Sequence, residues 1–181
     1  MSSGNVHNVA QVGFGTGTNE LYDKARPSYP SDALAALHAA IPKTDGKLNV
    51  LELGSGTGIF TRALLADPTF GPAVGKLEAV EPSAGMRATL EDKTKDERVV
   101  SREGTFSESG VPDGWADLVV VAQAFHWCPD YSAAMIEIAR ALKPNGVAAF
   151  IWNMEDQDAA GWVQDLRTFY EDFEKGASLG L

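Results

Sequence analysis

Residues 50–58 read VLELGSGTG: a short apolar strand runs into glycines at 54, 56 and 58, and an apolar helical segment begins at once. Glycine lets the backbone turn sharply and lets a ligand approach the main chain closely. A dinucleotide site of the form G-x-G-x-x-G needs its third glycine where Ile59 stands, and Gly58 comes one residue early. That spacing argues against a dinucleotide-dependent oxidoreductase. The pattern is instead E-x-G-x-G-x-G, with Glu52 beside the turn. A glycine turn also occurs for structural reasons alone, so its meaning depends on a second element.

That element is the next strand. Residues 76–81 (KLEAVE) end in Glu81, directly before Pro82 and a new helix. A carboxylate at such a strand end can accept hydrogen bonds from both hydroxyls of a ribose. Glycine turn and strand-terminal acid together point to a nucleoside ligand at the carboxyl ends of the strands.

Working outward, residues 47–53 form the first strand and 59–66 the helix after the turn. Residues 83–93 form a helix capped by Ser83, and 99–103 a short third strand. Residues 116–122 (ADLVVVA) have the unbroken apolar run of a strand covered on both faces. Apolar positions at 135, 138, 139 and 142 give 131–142 helical spacing, and Lys143-Pro-Asn-Gly146 stops that helix. Residues 147–152 are a fifth strand and 161–175 a last amphipathic helix. Ahead of the sheet, 31–41 is a helix with Ser31 placed to cap it. Residues 2–19 are rich in Gly, Ser, Asn and Thr, the composition of a segment that orders only when something docks on it. Strands alternating with helices imply an α/β fold with a mainly parallel sheet and right-handed crossovers.

Bulk properties narrow the partners. The chain has 181 residues, enough for one domain, and a formal charge of −10. A nucleic-acid binder needs a basic stripe. Lys93 and Lys95 are instead interleaved with Glu91, Asp92, Asp96 and Glu97, the pattern of a solvated helix face. Neither nucleic acid nor a membrane is therefore an expected partner. Cys128 is the single cysteine, which excludes an internal disulfide framework and a cysteine-based zinc site. No cluster has metal-ligand spacing, and His7 and His38 carry no motif. The start of the chain lacks the features of a secretory signal, so a cytoplasmic location is expected.

The order LELGSGTG, EAVEPSAGM, REGTF, ADLVVVAQAFHW and ALKPNGVAAFIW resembles the class I S-adenosylmethionine-dependent methyltransferases. Within them it is most similar to the small-molecule type that includes trans-aconitate methyltransferase-like proteins, and LYDKARPSYP resembles a segment these carry ahead of the sheet. The likeness covers roughly residues 14–153. It implies a Rossmann-like three-layer sandwich with strand order 3-2-1-4-5, S-adenosyl-L-methionine as cofactor and S-adenosyl-L-homocysteine as product. Residues 1–45 would form an N-terminal lid and helix, and 46–181 the cofactor-binding domain. Gly54, Ser55, Gly56 and Gly58, with Glu52 near the turn, would wrap the methionine and ribose portion. Glu81 would hold the ribose, with Pro82 and Met86 beside the adenine. Thr105 and Phe106 would contact the adenine. The family often has a small residue and an acid there, where this chain has Phe106 and Ser107. Gln123, Ala124 and Phe125 would border the methionine and sulfonium. Tyr22 and Arg26 would close over the cofactor, Arg26 pairing its carboxylate.

Methyl transfer from a sulfonium is an in-line displacement in which the protein mainly supplies alignment. A base is needed only where the acceptor keeps its proton at neutral pH, as an alcohol or phenol does. His126, between Phe125 and Trp127, stands where an acceptor would arrive and is the candidate base; packing into an aromatic wall is its alternative role. Phe125, Trp127, Tyr22 and Tyr29 either face the sulfonium or belong to the core. The expected reaction is methyl transfer to an oxygen, carboxylate or hydroxyl, of an organic acid or secondary metabolite. The family usually adds strands 6 and 7 as a hairpin after the fifth strand, and they are missing here. VAAFIW (147–152) is then an apolar, uncharged edge that invites pairing with a second copy. A shortened protein acting as a cofactor-binding or partner subunit without methyl transfer is the alternative.

Overall fold

The structure, a computed structural model, describes residues 23–176, excepting the side chains of 172–176. The expected order segment at 2–19, the Tyr22 and His7 side chains, and the last residues lie outside this range.

Five strands, β1 (Leu48–Leu53), β2 (Val74–Val80), β3 (Val99–Arg102), β4 (Ala116–Ala122) and β5 (Leu142–Ile151), form one sheet in the order β3-β2-β1-β4-β5. Every pairing is parallel. The helices are α1 (Ser31–Ala40), α2 (Ile59–Ala66), α3 (Ala84–Lys93), α4 (Tyr131–Ala141) and α5 (Gly161–Gly176). This is the Rossmann-like three-layer arrangement and the strand order expected from the sequence.

The alternation of side chains along β1 and β4 builds a core on each face. Val50, Leu118 and Val120 point to one face, where Phe60 and Leu64 of α2, Leu90 of α3, and Leu34, Leu37 and Ile41 around α1 cover them. Leu51, Leu53, Val119 and Val121 point to the other, under Ile138 and Ala141 of α4. All seven residues of β4 are buried, which is why its sequence carries so long an apolar run. Because α1 shares the core of the β1 face, residues 31–41 are built into the layered fold.

Three local expectations are corrected. Ser31 is not the cap of α1: the Pro30 carbonyl accepts from the N–H groups of Ala33 and Leu34, so Pro30 is the N-cap and Ser31 the first helical residue. Pro30 already holds the extended backbone (φ −64°, ψ 146°) that a cap requires. Lys143-Pro-Asn-Gly146 is not a helix stop followed by a strand but part of β5. The α4 helix ends as Leu142 turns extended, and the register jumps from Ala116↔Leu142 to Leu118↔Val147. Proline is tolerated because β5 is an edge strand, and Lys143 is anchored by the Asp117 carboxylate at 2.8 Å. Nor is Lys93 on a solvated face: its ammonium lies 2.7 Å from Asp23.

The sheet also fixes where a ligand can sit. Strand order runs outward from β1 in one direction through β2 and β3, then resumes on the other side with β4 and β5. The crevice at the carboxyl ends of β1 and β4 is therefore the topological switch point, where α/β sheets bind ligands.

Candidate functional site

The turn after β1 lies in that crevice. Gly54, Gly56 and Gly58 all have left-handed backbones, with φ of 72°, 56° and 83°. At Gly54 the need for glycine is also steric. A Cβ there would come within 2.6 Å of the Ala124 Cβ and 3.3 Å of the Phe106 ring. The loops after β3 and β4 thus close directly on the turn. Gly58 is the N-cap of α2.

The turn is fastened to β2 by its own main chain, since the N–H groups of Gly54 and Ser55 both donate to the Val80 carbonyl. One residue on, the Gly56 N–H donates to Glu81 Oε2 at 3.0 Å, and the Ser83 N–H donates to Glu81 Oε1 at 2.9 Å. Each carboxylate oxygen therefore spends one acceptor site on the protein and keeps another. Glu81 is buried, and burial raises its pKa against the pull of the Ser83 and Gly56 N–H groups. Ser83 caps α3 through its hydroxyl, as its sequence position predicted. The Arg87 guanidinium staples the Glu81 and Pro82 carbonyls and pairs with Glu103 at 2.9 Å.

Beneath the turn, Glu52 is fully buried and accepts from the Thr61 hydroxyl at 2.5 Å. Burial pushes its pKa up to about 8, so it is mostly protonated at neutral pH. Above it opens a pocket of about 510 Å³, counting its mouth.

The pocket brings together Arg26, Glu52, Gly54, Ser55, Gly56 and Gln123 of the sequence-derived set. The Ser55 hydroxyl is buried without a hydrogen-bond partner. Such a group is rarely left orphaned unless a ligand or water completes it. Met86 lies beside the turn, its sulfur 3.8 Å from where a Gly56 Cβ would be. Phe106 and Ala124 form the wall over Gly54. Thr105 sits in a small bridge with Glu108, its hydroxyl 3.4 Å from that of Ser107.

Of the expected residues, Gly58, Glu81, Pro82, Met86, Thr105, Phe106, Ala124, Phe125 and His126 do not line this pocket. The Phe125 ring turns into an aromatic cluster, 4.7 Å from Phe150, 5.1 Å from Tyr131 and 6.1 Å from Phe106. His126 is exposed on the short 3-10 turn Phe125–Trp127, with its ring 5.1 Å from that of Trp127. Its pKa is lowered by partial desolvation against its neighbours and then by the positive charge of Arg26, both of which favour the neutral imidazole. Tyr29 packs edge-on against Phe60 and lines the pocket. His38, without a motif, stacks on Phe70.

Gln123 was expected beside the methionine portion; its partner Asn153 was not singled out from the sequence. Gln123 has φ 54°, unusual for a residue with a side chain, and its amide donates to the Asn153 carbonyl at 2.9 Å. Asn153 thereby joins the pocket rim. Thr57, Thr61, Arg62 and Asp23 were missed because their roles depend on partners in distant elements. No local pattern marks them.

Residues 51–150 match the family model described as a methyltransferase domain. An uncharacterized methyltransferase of Mycobacterium bovis is 35% identical over 145 residues, covering 80% of this chain and 54% of its own length. A second, from Schizosaccharomyces pombe, is 32% identical over 166 residues, covering 87% of this chain and 62% of its own. The chain thus spans little more than half the length of these relatives. Among solved structures, a Methanococcus maripaludis protein assigned as an S-adenosyl-L-methionine-dependent methyltransferase superposes with a TM-score of 0.62 at 18% identity, over 90% of this chain and 77% of its own. The [4+2]-cyclase SpnF superposes with a TM-score of 0.54 at 22% identity, over 68% of this chain and 46% of its own, so the fold does not by itself set the reaction. The family model spans more than half of this chain and takes in the glycine turn, Glu81 and all of β4, and the chain belongs to the methyltransferase-domain family, whose cofactor is S-adenosyl-L-methionine.

Proposed function

We propose that this chain transfers a methyl group from S-adenosyl-L-methionine to an oxygen of a small acceptor, a carboxylate or hydroxyl of an organic acid or secondary metabolite. The supporting observation is the pairing of Gly56, after β1, with Glu81, after β2, at 3.0 Å beside the switch-point crevice. It leaves a buried carboxylate with acceptor capacity facing the same turn as the orphaned Ser55 hydroxyl. Glu81 then holds the ribose, and Pro82, Met86, Thr105 and Phe106 flank the adenine. Ser55 and the glycine backbone take the polar atoms of the methionine portion, bordered by Gln123 and Ala124. Arg26 pairs with its carboxylate, and Tyr22 is proposed to close over it.

Once bound, the cofactor supplies an already activated methyl group, and this chain's residues align it and exclude water. His126, held neutral, accepts a proton from a hydroxyl acceptor; a carboxylate acceptor needs no base. Incubation with methyl-labelled S-adenosyl-L-methionine and a panel of organic acids, alcohols and phenols tests the proposal. Label is expected in at least one oxygen of one class.

A second reading, a cofactor-binding partner subunit without turnover, draws on the edge strand β5 and the exposed Trp152 and Met154 beyond it. It also draws on a Haloferax volcanii methyltransferase neighbour (28% identity, TM-score 0.53, 64% of this chain and 49% of its own), solved in complex with the Trm112 activator. Binding of S-adenosyl-L-homocysteine with no transfer to any acceptor would favour it.

A further inference from the structure

One carboxylate outside the expected site gathers donors from three elements. Asp23 Oδ1 accepts from the Thr57 hydroxyl at 2.7 Å and from Arg62 Nη2 at 2.6 Å, and Asp23 Oδ2 accepts from Lys93 Nζ at 2.7 Å. Thr57 belongs to the glycine turn, Arg62 to α2 and Lys93 to the end of α3. Arg62 also donates to the Thr57 carbonyl at 2.6 Å, so Thr57 is gripped at both its side chain and its backbone. The Asp23 side chain is only 10% exposed, against 28% and 26% for Arg62 and Lys93. A carboxylate on a solvated segment needs none of this.

Asp23 stands three residues before Arg26, and Arg26, Pro27 and Tyr29 line the pocket. On its far side the turn is held by Glu81 through Gly56. The turn is therefore clamped between two carboxylates, one from β2's end and one from the segment ahead of the sheet. We propose that Asp23 is a positioning residue: by binding Thr57, Arg62 and Lys93 together, it seats the segment carrying Arg26 over the glycine turn and so sets the affinity of the cofactor site. Asp23 does not line the pocket itself but holds Thr57, which does. It acts through where Arg26 stands and through the shape of the turn.

This inference rests on the cofactor reading above, and calorimetric titration with S-adenosyl-L-homocysteine separates the two. If the wild-type chain fails to bind, the cofactor reading fails, and the inference with it. If it binds, Asp23→Asn is the test. Asparagine keeps the size and an acceptor for Thr57 but loses the charge opposite Arg62 and Lys93. Affinity is expected to fall about tenfold or more.

A brace that merely stabilises the fold would lower affinity by the same factor whatever stands at position 26. A residue acting by placing Arg26 would not. In an Arg26→Ala background, Asp23→Asn is expected to cost less than about threefold. Wild-type-like affinity in Asp23→Asn, or losses that multiply in the double variant, would overturn the proposal. Where Asp23→Asn does not fold, Lys93→Met removes one donor away from the pocket lining and leaves the carboxylate two partners. It is expected to weaken binding about threefold in the wild-type background and not at all with Arg26→Ala. Unchanged affinity in the wild-type background would overturn the proposal equally.

Discussion

Two glutamates at the ends of neighbouring strands are both pushed toward the neutral form by burial, yet pH acts through them in different ways. Glu52 bears on stability. Its pKa is about 8 in the folded chain, against an ordinary value of 4.5. Between these values the folded state holds the extra proton, so stability falls as pH rises through that window, by at most about 1.4 kcal/mol per pH unit from this group. Below 4.5 both states are protonated and the contribution is complete. Glu52→Gln, which keeps the Thr61 contact without an ionisation, is expected to flatten that slope. Its melting temperature should gain on wild type at pH 9 relative to pH 5; an equal difference at both would mean that Glu52 ionises normally. On the proposed reading, Glu81 bears on ligand binding. Ionised, it would accept from ribose hydroxyls, so affinity for S-adenosyl-L-homocysteine is expected to decline as pH falls through its raised pKa. Glu81→Gln should bind about tenfold more weakly or worse at pH 8 and lose that acid dependence. Calorimetry at pH 5 and pH 8 checks both points.

At the scale of elements, the loop between β3 and β4 is tied to α4 by one buried side chain. Glu137 accepts from the Ser109 N–H at 2.8 Å and from its hydroxyl, and pairs with Arg140 at 2.7 Å, which in turn holds Asp113. Burial alone would raise the Glu137 pKa, but the Arg140 and Ser109 donors outweigh it and bring it to about 2. A lowered carboxylate pKa stabilises the fold above pH 4.5, and that stabilisation is lost as pH falls toward 2. Glu137→Gln is expected to cost about 1–3 kcal/mol at pH 7 by urea titration and nearly nothing near pH 2. The elements themselves were legible in the sequence, because a strand buried on both faces, such as β4, must be apolar throughout. Their ends were less so. Lys143-Pro-Asn-Gly146 carries every local sign of a stop. Only Asp117, on the neighbouring strand, makes it a bulged start to β5, and Pro30 displaces Ser31 as a cap for an equally contextual reason.

For the whole molecule, a mainly parallel sheet followed from alternation and crossover handedness, which are properties of the chain's path, and the strand order followed from the family resemblance. The clamp on the glycine turn did not, since Asp23 and Lys93 are 70 residues apart, and the stretch LYDKARPSYP that holds Asp23 does not reveal its partners. The margin of the sheet is a further feature of whole-molecule scale. Among the described residues β5 is hydrogen-bonded on one side only, and Ala148 is exposed on it. On α5, Trp162, Leu166, Phe169 and Tyr170 recur at helical spacing and are 68%, 43%, 66% and 55% exposed. The stretch 147–151 of β5 is uncharged, and a second copy of this chain would supply a matching edge for strand-to-strand pairing. Sedimentation velocity is expected to show a concentration-dependent dimer. Ala148→Lys places on the edge the charge that native edge strands use against pairing, and should shift the chain to monomer. Because Ala148 is absent from the pocket lining, cofactor affinity should be unchanged. A wild-type chain that sediments as a monomer at every concentration would mean that β5 does not recruit its own copy.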